Sequence, residues 1–250
     1  MLVTNALGYV FTIVMNWLSI SIPLGGITIQ ELADRYDNPF TPTPGTFSIW
    51  SVIFTLLLIF SLWPLIQSWG KSKISPVQKN IGWLYLVTCI ANGAWVAAWQ
   101  YQYISLSVII MLVLLVTLIR IHMAVRAAKP TRFDSIITLP TFSIYLGWIS
   151  VATIANITAW TVSIGWGGWG ISQIAWTNIM VVVATLLGTT LYVKYRDAWF
   201  NAVIIWALFG IMYKRMNIDA VTFASIIMTT QICIAFLVGL ISSQYLIKRK

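Results

Sequence analysis

Charge is what this 250-residue chain lacks most: Asp, Glu, Lys and Arg make up 8% of it, with six acidic residues and one histidine. Soluble domains carry about 25% charged residues, so a water-facing globule is excluded. Cysteine is as scarce. Cys89 and Cys233 form no metal or redox spacing and read as small packing residues. No nucleophile motif, P-loop or dinucleotide fingerprint is present, which excludes the usual hydrolytic and phosphoryl-transfer enzymes. No apolar stretch holds two carboxylates, so a proton or cation relay is not expected. His122 stands without a second His, Cys or carboxylate near it in sequence, and no metal site follows. Neither a fixed-period repeat nor an inverted pair of halves is visible.

What is present is apolar: 59% of residues are hydrophobic and 14 are tryptophan. A helix needs roughly 20 apolar residues to cross a bilayer. Such runs lie near 6–24, 45–68, 80–99, 103–125, 136–160, 172–193, 198–213 and 221–246. The expectation is an all-α integral membrane protein of about eight transmembrane helices. Charge placement tests the number. With both termini cytoplasmic, that side collects Lys71, Lys73, Lys79, Arg120, Arg126, Lys129, Arg132, Lys194, Arg196, Lys248, Arg249 and Lys250. The opposite side holds Arg35, Lys214 and Arg215. This bias matches the positive-inside rule and an even number of spans. The net charge of +9 then needs no nucleic-acid partner; anionic lipid on the cytoplasmic face suffices. The first run lacks a basic n-region and an A-x-A-like site, so it reads as a retained helix. A bacterial inner membrane is the simplest home.

The first outer loop, 25–43, is long and carries Glu31, Asp34 and Asp37 before a proline-rich run. Long loops tend to be lids or binding segments. Gln100–Tyr103 is short and predicts a tight antiparallel helix pair. The glycine-rich loop 165–170 reads as a flexible turn with interfacial tryptophans. Neutral polar residues mark the helices beside it. Asn16 adjoins Trp17; Asn92 and Trp95 share a face; Tyr145, Trp148, Ala152 and Asn156 form one stripe. With Trp50, these residues reach similar depth under the long loop. Interhelical bonds of this kind are worth about 0.6–2 kcal/mol and serve as packing glue. Their convergence also predicts an aromatic-lined cavity with the loop as lid.

Three segments carry a resemblance: Pro44-Gly45-Thr46-Phe47-Ser48-Ile49-Trp50, then Asn92-Gly93-Ala94-Trp95, then the run from Tyr145-Leu146-Gly147-Trp148 through Ala152 to Asn156. In order and spacing they resemble the tryptophan-rich sensory protein / translocator protein family, also called the peripheral-type benzodiazepine receptor family. The resemblance covers residues 1–160 and implies a five-helix bundle. It further implies a pocket near the first loop for porphyrins such as protoporphyrin IX or haem, sterols and aromatic drugs. Trp50, Asn92, Trp95, Trp148, Ala152 and Asn156 inherit the binding role. Tyr145 and Trp17 join them from the residue pattern. No cofactor is required; porphyrin or haem would be a bound ligand. A homodimer is among the implied partners. The family's W-Y-x-x-L-x-K-P segment is not recognisable, the nearest stretch being Leu32–Pro39.

Residues 161–250 form a three-helix extension. There Thr222, Ser225 and Thr229 share a face as packing contacts, Asp197 beside Arg196 reads as an interfacial ion pair, and Trp206 has no evident role. Trp63, Trp69, Trp83 and Trp199 are expected at the cytoplasmic boundary; Trp99, Trp160, Trp166, Trp169 and Trp176 at the outer one. The leading function is a membrane receptor or carrier for a flat hydrophobic ligand, a tetrapyrrole or a sterol-like lipid. The alternatives are a membrane enzyme degrading porphyrin photochemically or oxidatively, and a secondary transporter.

Overall fold

A computed structural model describes residues 2–67, 75–128 and 132–247. The expected boundary residue Trp69 and the basic residues Lys71, Lys73, Lys129, Lys248, Arg249 and Lys250 lie outside them. Among the described residues every regular element is helical. The long helices are α1 (Leu2–Ser21), α3 (Ile49–Gln67), α5 (Leu84–Gln100), α6 (Ile104–Ala127), α7 (Arg132–Ser163), α8 (Gln173–Tyr195), α9 (Ala198–Asp219) and α10 (Ala224–Ile247). Two short ones are α2 (Ile29–Arg35) and α4 (Pro76–Ile81), and a 3-10 turn at Pro44–Ser48 leads into α3. Six helices are long and apolar enough to cross a membrane: α1, α3 with its leading turn, α6, α7, α8 and α10. Of the other two, α5 has 17 residues, and α9 ends in a polar turn with Lys214, Arg215 and Asp219.

The first five long helices close into a ring. Helix α1 packs on α5, α5 on α6, α6 on α7, α7 on α3, and α3 back on α1. The remaining three form a triangle in which α9 touches α8, α10 and α7. Helix α7 is therefore shared, and most of its apolar length is buried. Its close approach to α9 depends on Gly147, where a Cβ would stand 3.1 Å from Val203 and 3.2 Å from the Phe200 carbonyl oxygen. Small residues at such crossings let backbones meet.

The tight α5–α6 reversal is made by Gln102, whose φ of 61° is left-handed. The long first loop contains structure that its polar composition hid. Thr28 caps α2 and exchanges bonds with Glu31 as a capping box; the Thr28-x-x-Glu31 spacing is its signature. Thr222, expected on a helical face with Ser225 and Thr229, falls in the turn before α10. Ser225 is the one of the three that accepts across helices, from the Asn178 amide at 3.2 Å.

Candidate functional site

The bundle's aromatic residues meet under the first loop. Trp50, in the first turn of α3, stacks on Phe54 with centroids 5.3 Å apart. It meets the ring of Trp148 edge-on at 6.2 Å and that of Tyr145 at 6.0 Å. Phe47, delivered by the 3-10 turn, meets Trp148 at 5.7 Å. From α5, Trp95 stacks on Trp99 at 5.9 Å and 18°. Between these walls lies a cavity of about 60 Å³, bordered also by Ala152, Ala155, Asn156 and Ala159 of α7 and roofed by Ile29, Ala33, Asn38, Thr41 and Pro42. Alanine on α7 leaves this space because a larger residue would fill it.

Hydrogen bonds hold the walls in place. The Trp95 indole donates to Asn156 Oδ1 at 2.8 Å, and the Asn156 amide donates to Ser107 of α6 at 2.9 Å. Asn16 donates to Asn92 at 2.7 Å, and Asn92 donates to the Tyr145 hydroxyl at 3.3 Å. These two chains tie α5 to α6 and α7, and α1 to α5 and α7. Trp148 differs: its indole Nε1 is buried with no hydrogen-bond partner among the described residues. Leaving such a donor unmade costs about 1–3 kcal/mol.

Of the residues singled out by sequence, Trp50, Trp95, Trp148, Ala152 and Asn156 line the cavity. Asn92 and Tyr145 are buried beside it, in the polar chain just described, and do not line it. Trp17 is a correction: it is 56% exposed and faces away from the bundle. Its neighbour Asn16 turns inward to Asn92, and successive helical residues sit about 100° apart. Trp99, expected as a boundary anchor, is instead buried in the cavity wall and donates to the Ile29 carbonyl at 3.2 Å. Its signal was the Trp95–Trp99 spacing of four, which shares a helix face.

The roof is tied to the extension. Lys214 of α9 pairs with Asp34 at 3.1 Å and Asp37 at 3.7 Å. Buried Arg215 donates to the Thr41 carbonyl at 3.3 Å. Thr43 donates its backbone N–H to the Gly210 carbonyl at 3.3 Å, and the Trp206 indole donates to the Thr46 carbonyl at 2.9 Å. Trp206 thereby gains its role. Gly210 is required here, since a side chain would collide with Thr46.

At the opposite end, Asp197, expected in an interfacial pair beside Arg196, is buried and takes its partners from α6 and α7. Its buried carboxylate takes Arg126 at 2.6 Å, His122 at 2.8 Å and the Ser143 hydroxyl at 2.6 Å on one oxygen. The other oxygen caps α9 by accepting from the Phe200 N–H at 3.1 Å. Burial alone would raise this carboxyl, but the bonds from His122, Ser143 and Phe200 outweigh it and hold it at about 2. The carboxylate absent from His122's sequence neighbourhood thus arrives from 75 residues away. Serine, histidine and aspartate meet here, yet aspartate is the hub. The Ser143 hydroxyl donates to the carboxylate and not to the imidazole, so it is not activated as a nucleophile. Among the described residues no group of three His, Cys, Asp or Glu side chains could hold a metal ion.

No curated protein and no solved structure matches the chain. A family model described as TSPO-like protein matches residues 2–242. That stretch runs past residue 160 and takes in α8, α9 and most of α10, so the match extends through α9, which holds the roof. The chain, a helical membrane protein, belongs to the TSPO-like protein family.

Proposed function

We propose that this protein is a membrane receptor or carrier that binds a flat hydrophobic ligand in the cavity between α3, α5 and α7. A tetrapyrrole such as protoporphyrin IX or haem is the ligand class proposed first, with a sterol-like lipid second. The observation that carries this reading is Trp148. Its ring faces Trp50 and Phe47 in the cavity wall, and its buried N–H has no partner among the described residues. A planar ligand with an acceptor on its edge would fill both needs, stacking on the rings and taking the indole hydrogen.

At about 60 Å³ the space is too small for such a ligand, since sites for drug-sized molecules run about 300–1,000 Å³. Binding therefore requires the roof of α2 and residues 36–43 to lift. Its ties to α9 make the extension the element that sets how readily this happens. The same reading places all eight long helices across the bilayer with both termini cytoplasmic. Residues 25–43 and the C-terminal turn of α9 then lie on the outer side, and a bacterial inner membrane is the proposed location.

Titration of protoporphyrin IX or haem into the detergent-solubilised protein, read by tryptophan fluorescence, tests the assignment. Saturable quenching should weaken in Trp50→Phe and more strongly in Trp148→Phe. Identical quenching curves in the parent and both variants would remove the ligand from this cavity.

A further inference from the structure

A second, larger cavity lies where the bundle meets the extension. It measures about 620 Å³, is open on one side, and is bordered by Asn38–Phe40 of the first loop, the last turns of α7, the glycine-rich loop and the first turns of α8. Helices α7 and α8 make few contacts there, and the loop between them supplies one wall. That loop, read from composition as a flexible turn, takes a specific backbone geometry. Gly165, Gly168 and Gly170 take φ of 62°, 66° and 78°, and between them Trp169 is also left-handed at 54°. A bulky residue in that region is an outlier whose cost the surroundings must offset.

The strained backbone gathers three tryptophans. Trp166 lies 5.1 Å from Trp169 and 5.4 Å from Trp176, and Trp169 lies 6.1 Å from Trp176. The Trp176 indole donates back to the Gly168 carbonyl at 3.0 Å, closing the loop on α8. Trp166 and Trp176 face the cavity. Interfacial anchoring needs none of this mutual packing, because each ring could reach the headgroups alone.

We propose that this cavity is a second binding site, taking an uncharged, flat, lipid-soluble molecule that carries a carbonyl or hydroxyl group. The size lies within the range of drug-sized sites. Among the described residues no ionisable side chain lines it, although the chain carries a net charge of +9. A free phosphate or carboxylate would therefore find no counter-ion on the lining, which argues against an anionic group, porphyrin propionates included, at this position. The lining offers aromatic faces together with neutral polar groups. Thr158, Thr161 and Thr177 spend their hydroxyl hydrogens on backbone carbonyls, so their oxygens accept. The Ser172 hydroxyl, which accepts from the Ala175 N–H, retains its hydrogen to donate. Both roles suit a carbonyl or hydroxyl on an otherwise apolar ring.

Benzophenone, a neutral aromatic ketone that labels neighbouring C–H bonds on illumination, is the probe. In phosphatidylcholine nanodiscs it should form saturable adducts on Met180 and the peptides around Trp166. The exposed Met123 and Met228 should be labelled weakly and in proportion to probe concentration. Filling the cavity with Thr161→Trp, or removing one wall with Trp166→Ala, should cut the Met180 adduct by about tenfold, while quenching by protoporphyrin IX stays as in the parent. Adducts distributed evenly over Met123, Met180 and Met228 in the parent protein would overturn the site without recourse to any variant. Equal Met180 labelling in both variants would do the same.

Discussion

Trp95 and Trp148 line the same cavity from different walls, and one bond separates their energetics. The Trp95 indole is bonded to Asn156, whereas the Trp148 indole is buried and unpaired. Replacing either by phenylalanine removes a similar ring volume and leaves a comparable void. Only Trp95→Phe also deprives Asn156 Oδ1 of its short partner, leaving Ser107 at 3.4 Å. Trp95→Phe should therefore destabilise the ligand-free protein by about 1–2 kcal/mol more than Trp148→Phe. Thermal unfolding of the two variants in one detergent measures the difference; equal losses would mean that the Trp95–Asn156 bond contributes nothing net. The contrast also marks how far single residues were legible. The Tyr145-to-Asn156 stripe could be read from spacing alone, and its Trp148, Ala152 and Asn156 do line the cavity. Trp17 could not be placed, because in a bilayer the lipid is as apolar as the core and a helix has no wet face to orient it. The asparagine beside Trp17 decides its direction, and its partner Asn92 lies 76 residues away.

Elements were easier to read than the contacts between them. All eight apolar runs coincide with long helices, since length and hydropathy suffice for existence. Their joints depend on polar residues that sequence brings together only through the fold. Asp197 is the plainest case: it caps α9 and joins it to α6 and α7 through Arg126, His122 and Ser143. Its carboxyl is lowered from an ordinary 3.8 to about 2. A depressed acid stabilises the folded state once pH exceeds the unfolded value near 3.9. That contribution, about 2 kcal/mol, is lost as pH falls through the folded value. The Asp197 contribution should thus be fully present at pH 5 and above and decline below about pH 4. Asp197→Asn should start lower at pH 7 and converge on the parent in acid. Melting curves across that window decide it, and parallel declines in the two proteins would assign the acid sensitivity to other groups.

At the scale of the whole molecule, the extension and the first loop act on one another across the chain. Arg215 reaches Thr41 over 174 positions, and no periodicity or motif could have announced the pairing. Several ties bind the roof, and their strengths differ by burial. The Lys214 pairs involve half-exposed aspartates, and exposed pairs of this kind are worth about 0–1 kcal/mol. Arg215 is buried, bonded to the Thr41 backbone and seated 5.1 Å from the Phe223 ring centre, so its loss leaves a buried carbonyl short of a donor. The roof should therefore respond to Arg215 far more than to Lys214. Hydrogen exchange of the amides in 29–43 should quicken about tenfold or more in Arg215→Met, a shift of about 1.4 kcal/mol in opening. In Lys214→Ala it should change little. If the cavity under that roof is where the ligand binds, Arg215→Met should also speed the onset of protoporphyrin quenching, because the closed roof lowers the competent fraction of the free protein. Equal exchange in both variants would show that the roof is held by its own capping and packing, and that α9 merely lies against it.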